Sequence, residues 1–87
     1  MSEITVYSTY FCCDCRRAKQ FLRERGVPFR EVNIDEHPEA EDLVIRVNNG
    51  RRKVPTIEVE GHYFACSPFD PYQLAEQLKL PLNPAKP

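Results

Sequence analysis

The chain has 87 residues, a formal net charge of -1, and 41% apolar against 29% charged residues. That length supports one small core, and the balance is that of an ordinary soluble globular domain. It excludes an overall basic field for nucleic acid and any apolar run long enough for a membrane span, and the start MSEITVYS lacks a basic-then-apolar export signal. The expected compartment is therefore the cytoplasm, and the basic run Arg51-Arg52-Lys53 is read as a solvated loop.

Ile4 to Tyr7 alternates with β-branched residues and predicts a first strand. From Cys13 the period changes. Cys15, Ala18, Phe21 and Leu22 recur at spacings of three and four and define one apolar helical face. Gly26 ends that helix and Pro28 prevents its resumption. Phe29 to Ile34 predicts a second strand with Val32 and Ile34 inward. Asp35 to Pro38 forms a turn with proline at the first helical position, and Ala40, Leu43, Val44 and Val47 give the second helix its buried stripe. Pro55 to Val59 is a third strand, Glu60-Gly61 a turn, and His62 to Ala65 the returning strand of a hairpin. Tyr72 to Leu80 is a last helix with Leu74, Ala75 and Leu78 on one face, and the tail from residue 81 to 87, with three prolines, is expected to fray. The order is βαβαββα. A crossover makes the first two strands parallel, the hairpin adds antiparallel strands, and a four-stranded mixed sheet with helices on both faces follows.

Three cysteines, Cys12, Cys13 and Cys15, crowd the strand-to-helix junction, while Cys66 lies far along the chain. In a reducing compartment such a cluster points to catalysis or metal binding rather than to a disulfide framework. A spacing of three puts Cys12 and Cys15 on one helical face. Cys12 also sits at the positive end of the helix dipole beside unpaired N–H groups, where a thiolate is favoured; Arg16 and Arg17 assist and Asp14 opposes. Cys12 is thus the expected nucleophile on a disulfide, and Cys15, deeper in the helix, the resolving thiol. Cys13 points about a quarter turn away and is read either as a small side chain or as a further redox or metal thiol. Val54-Pro55-Thr56 opens the third strand. The proline is either an ordinary edge-strand residue or a cis bond that turns the Val54 backbone toward an incoming partner. Tyr10 and Phe11 either wall a substrate groove or pack. Cys66 is expected to pack as a small hydrophobe. His37 is expected at a helix cap on the surface and His62 on an exposed strand face, neither with ligand spacing.

Together these residues resemble the glutaredoxin family, within the thioredoxin fold, over about Ile4 to Leu80. The likeness rests on VYSTYFCCDC, GVPFREVNID and KVPTIEVEG. It implies a thioredoxin-like α/β domain over residues 1–80 followed by a flexible tail, 81–87. It implies a thiol–disulfide oxidoreductase acting on protein disulfides or protein–thiol mixed disulfides through Cys12 and Cys15. Tyr10, Phe11, Val54, Pro55, Thr56 and Ser67 are then the substrate-side residues. No tightly bound cofactor or metal is implied. The electron donor is either a low-molecular-weight thiol of the glutathione or mycothiol type or a flavin enzyme such as thioredoxin reductase, and the chain is expected to act as a monomer.

YSTYFCCDCRRAK is similar to the mycoredoxin and NrdH-type branch, with Thr9 where glutathione-dependent members carry lysine. Their Gly-Gly-Cys-x-Asp stretch is replaced here by Phe64-Ala65-Cys66-Ser67-Pro68. Ser67, Phe69 and Pro71 match the Ser-Gly-Phe-Arg-Pro of NrdH-type redoxins, which take electrons from thioredoxin reductase; Pro68 and Asp70 do not. Cys13 replaces the proline of Cys-Pro-Tyr-Cys. Members lacking that proline include carriers of an iron–sulfur cluster, so the alternative function is an iron–sulfur or other metal carrier using Cys12 with Cys13, Cys15 or Cys66.

Overall fold

The structure is a computed structural model that describes residues 3–80 and 82. The frayed tail expected over 81–87 lies outside the described residues, Leu82 apart. The elements run β1 (Ile4–Ser8), α1 (Cys13–Glu24), β2 (Arg30–Asn33), α2 (Pro38–Val47), β3 (Thr56–Val59), β4 (His62–Ala65) and α3 (Pro71–Leu78). The sheet order is β2-β1-β3-β4. β1 pairs in parallel with β2, Tyr7 opposite Val32, and antiparallel with β3, Val6 opposite Ile57 and Tyr7 opposite Thr56.

Strand alternation divides the apolar residues between two layers. Ile4, Val6, Ile57 and Phe64 point to one face, where Ala18, Phe21 and Leu22 of α1 and Leu74 and Ala75 of α3 cover them. Tyr7, Val32 and Val54 lie on the other, packed with Ile34 against Ala40 and Val44 of α2. A single helix covers that second face, so Leu43 and Val47, expected to be buried, are only half-buried. Leu22 is fully buried at the centre of the larger layer, a burial worth about 2 kcal/mol.

The helix ends follow local rules. Gly26, at φ 66°, lets the chain leave α1; its N–H reaches Arg23 O and the Val27 N–H reaches Leu22 O. Asp70 caps α3, its Oδ1 accepting from the Tyr72 N–H at 3.0 Å and the Gln73 N–H at 3.4 Å. That cap starts α3 at Pro71, and Lys79 in left-handed conformation ends it at Leu78, short of the expected Leu80. β2 is also shorter than the expected 29–34, although the Ile34 N–H still bonds Ser8 O. Glu60 and Gly61 both have positive φ, the geometry of a two-residue hairpin turn.

Candidate active site

β1 and β3 are antiparallel, so the end of β1 and the start of β3 meet at one edge of the sheet. The loop from Thr9 to Cys12 therefore lies against Lys53 to Pro55. Cys12 is the N-cap of α1, with extended backbone (φ -129°, ψ 109°). Its Sγ takes the place that a serine or aspartate oxygen holds in other caps, accepting the Cys15 N–H at 3.1 Å. It satisfies one of the N–H groups left unpaired at a helix start. Cys12 Sγ also lies 3.6 Å from Val54 O, to which its thiol donates. The Val54–Pro55 peptide is cis, the second of the two arrangements the sequence left open.

Cys15, one turn inward, is 1% exposed. Burial pushes its thiol up to about 12, the hydrogen bond with Cys12 adds to this, and a backbone hydrogen bond with Thr9 and the charge of Lys19 work against it. The pair is therefore asymmetric, with one half-exposed sulfur holding an N–H and one buried thiol behind it. Cys13 is exposed. Cys66 is fully buried in the larger core, its thiol directed at Asp70 O (3.8 Å), and burial raises it above the usual thiol range. Packing in the core is thus what the structure assigns to Cys66, as expected. Among the described residues no group of three His, Cys, Asp or Glu side chains is placed to hold a metal ion. His37 sits at the start of α2 without a side-chain cap bond, and His62 is exposed on β4.

The substrate-side candidates separate by depth. Phe11 is fully exposed beside Cys12. Tyr10 is exposed as well, but its hydroxyl donates to Glu36 Oε2 at 2.7 Å, which ties the loop to the turn before α2. Val54 and Ser67 are half-buried, and of the two it is Val54 that meets Cys12. Pro55 and Thr56 are fully buried. The Thr56 hydroxyl donates to Lys53 O at 2.7 Å and accepts from Asn48 Nδ2 at 2.9 Å. Its hydroxyl thus ties the Lys53–Pro55 segment to Asn48. Asn48 also donates to Val44 O at 2.8 Å, so it clamps this segment to α2.

Sequence reasoning missed Asn48, and it missed Glu36 and Glu31 as partners across the fold. Asp70-Pro71 was a readable cap signal, Asp followed by proline at the first helical position.

A Cys-x-x-Cys pair at the start of the first helix, beside the Val54–Pro55 segment on a βαβαββα frame, goes with a thioredoxin-like fold. The glutaredoxin family model matches residues 4–64, and the chain belongs to the glutaredoxin family, whose members are thiol–disulfide oxidoreductases. The glutaredoxin-like protein NrdH of Lactococcus lactis is 41% identical over 73 residues, covering 84% of this chain and 96% of that one. Mycoredoxin 1 of Corynebacterium glutamicum is 34% identical over 69 residues, covering 79% and 85%. A solved structure of NrdH-redoxin from Escherichia coli superposes with a TM-score of 0.71 at 26% identity, over 97% of this chain and 99% of that one.

Proposed function

We propose that the chain is a dithiol reductase of protein disulfides and protein–thiol mixed disulfides, acting in the cytoplasm as a monomer. The observation that carries this is the asymmetric pair, in which Cys12 Sγ accepts the Cys15 N–H at 3.1 Å while Cys15 lies buried behind it. Cys12 attacks one sulfur of the partner disulfide. The partner's S–S bond breaks, a Cys12–partner bond forms, and the released thiolate takes up a proton. Cys15 then gives up its proton and attacks Cys12 Sγ. The mixed disulfide breaks, a Cys12–Cys15 disulfide forms, and the second partner thiolate leaves. Two electrons have passed from the pair to the partner. Val54 offers its backbone beside Cys12, with Phe11, Tyr10 and Ser67 as the surrounding surface; Pro55 and Thr56 hold Val54 in place.

The regenerating donor in this proposal is a flavin reductase of the thioredoxin reductase class, which returns two electrons to the Cys12–Cys15 disulfide. Support comes from the NrdH relatives, one of them described as a glutaredoxin-like protein with a thioredoxin-like activity profile, and from the match at Ser67, Phe69 and Pro71.

The test follows NADPH oxidation with a protein disulfide as acceptor, comparing thioredoxin reductase with glutathione and its reductase. Turnover is expected with thioredoxin reductase and is expected to vanish in Cys12→Ser. Cys15→Ser is expected to keep turnover of small thiol adducts, with glutathione and its reductase as donor, and to lose that of protein disulfides. Undiminished turnover by Cys12→Ser would end the proposal. Turnover with glutathione alone would replace the donor.

A further inference from the structure

The resolving step poses a difficulty that the cysteine pair does not answer. Cys15 must lose a proton inside the protein, where burial opposes a charge. In the mixed disulfide, moreover, Cys12 Sγ is covalently engaged with the partner. A group that favours the Cys15 thiolate at that moment has to come from elsewhere and has to be held in place.

Lys19 is four residues beyond Cys15 in α1, one turn along the same face. Its side chain is 17% exposed, so it does not swing in solvent as a surface lysine does. Nζ lies 2.5 Å from Glu31 Oε2 on β2, and that same oxygen accepts from Ser8 Oγ on β1 at 3.1 Å. Ser8 is itself buried. Three elements thus pin one ammonium group beneath the redox loop.

We infer that Lys19, held by Glu31 and Ser8, is a positioning residue that keeps a fixed positive charge beside Cys15 for the resolving step. The inference rests on the dithiol reading above. It gives a role to an ion pair and the serine that braces it, none of which the attack by Cys12 uses.

The surrounding charges are consistent with this role. Cys15 is faced by Cys12 and Lys19 on its own helix and by the Thr9 backbone from the loop after β1. Of these, Lys19 is the cation, and it acts to lower the Cys15 thiol against the effect of burial. The Lys19–Glu31 pair is faced by Arg23 from α1 and by Tyr10, whose hydroxyl is bonded to Glu36. Lys19 first, then Ser8, holds the Glu31 carboxyl below its usual range, so the anchor stays ionised through neutral pH. In the step itself the Cys15 proton passes to solvent, Cys15 Sγ bonds Cys12 Sγ, the Cys12–partner bond breaks, and the leaving partner thiolate takes a proton from solvent. No outside oxidant is required.

The experiment uses the full chain with Cys13→Ser, which removes the other exposed thiol, and stopped-flow reaction of the reduced protein with dithionitrobenzoate. The first thionitrobenzoate is released when Cys12 attacks, the second when Cys15 displaces the adduct. In Lys19→Met the second phase is expected to slow about tenfold at neutral pH and its pH midpoint to rise by about one unit. The first phase, which also reports an intact fold, is expected to stay within about twofold. Lys19→Arg, keeping the charge, is expected to restore most of the second phase. A Lys19→Met second phase with wild-type rate and pH profile would overturn the inference, as would equal slowing of both phases. If the wild-type chain shows no second phase at all, the dithiol reading fails and this inference falls with it.

Discussion

Cys15 should make the folded protein lose stability in mild alkali, and the size of the loss can be worked out. The ordinary thiol value is 9.0, and burial pushes Cys15 up to about 12. Above the lower value the unfolded chain has released this proton and the folded chain still holds it. The unfolded state then binds fewer protons, so stability falls as pH rises; the contribution is fully present below the lower value and is lost on the way to the upper one. One unit above the ordinary value the loss is about 1.4 kcal/mol for the full shift, and about 1 kcal/mol is a fair expectation. The assay is urea unfolding of the reduced protein at neutral pH and at about pH 10, for wild type and Cys15→Ala. Every other group is common to the two proteins, so the difference between the two pH responses isolates Cys15. Wild type should lose about 1 kcal/mol more than Cys15→Ala over that range. Parallel losses in the two proteins would show that the Cys15 thiol is not held neutral by burial, and the asymmetry of the pair would lose its physical basis.

Asp70→Ala removes the cap of α3 and should cost about 1 kcal/mol in urea unfolding, against a few tenths for Asp70→Gly. Asn48→Ala breaks the bonds to Thr56 and Val44, which should cost about 1–2 kcal/mol and raise KM for a protein disulfide, because the segment presenting Val54 loosens. Phe11→Ala should leave the unfolding midpoint unchanged within about 0.5 kcal/mol yet lower kcat/KM for protein disulfides more than for a small aromatic disulfide, since the ring is exposed and covers no core. Equal loss on both substrates would remove Phe11 from the docking surface.

The fold was legible because its signals are local. Alternation in Ile4 to Tyr7 and the stripe of Cys15, Ala18, Phe21 and Leu22 each declare a buried face within one element, and the apolar residues buried in β1 and α1 lie on those faces, while Thr5 and Ser8, buried on a central strand, do not follow from the pattern. The errors fell at ends and at the thin layer. α3 began a residue early because Asp70 could cap it, and Leu43 stayed half-exposed because one helix alone covers that face of the sheet. The cysteine pair was visible for the same local reason. What surrounds it was legible only in part: Val54-Pro55-Thr56 stood out as a second site element 42 residues from Cys12, but the bond from Tyr10 to Glu36, 26 residues on, did not. No periodicity encodes such pairings; they come from β1 lying between β2 and β3. Thr56 shows the limit most plainly. Its place beside Pro55 suggested a surface role, but strand alternation turned its hydroxyl inward to Lys53 and Asn48.

The sorting of the four cysteines by depth makes the molecule its own gauge of integrity. Two of them, Cys12 and Cys13, reach the surface, while Cys15 and Cys66 are enclosed. A bulky thiol-labelling dye offered to the reduced chain should therefore tag two positions while the fold holds and four once it opens. The count would follow denaturation in a crude extract, with no spectroscopic probe and no tryptophan, which this sequence does not contain.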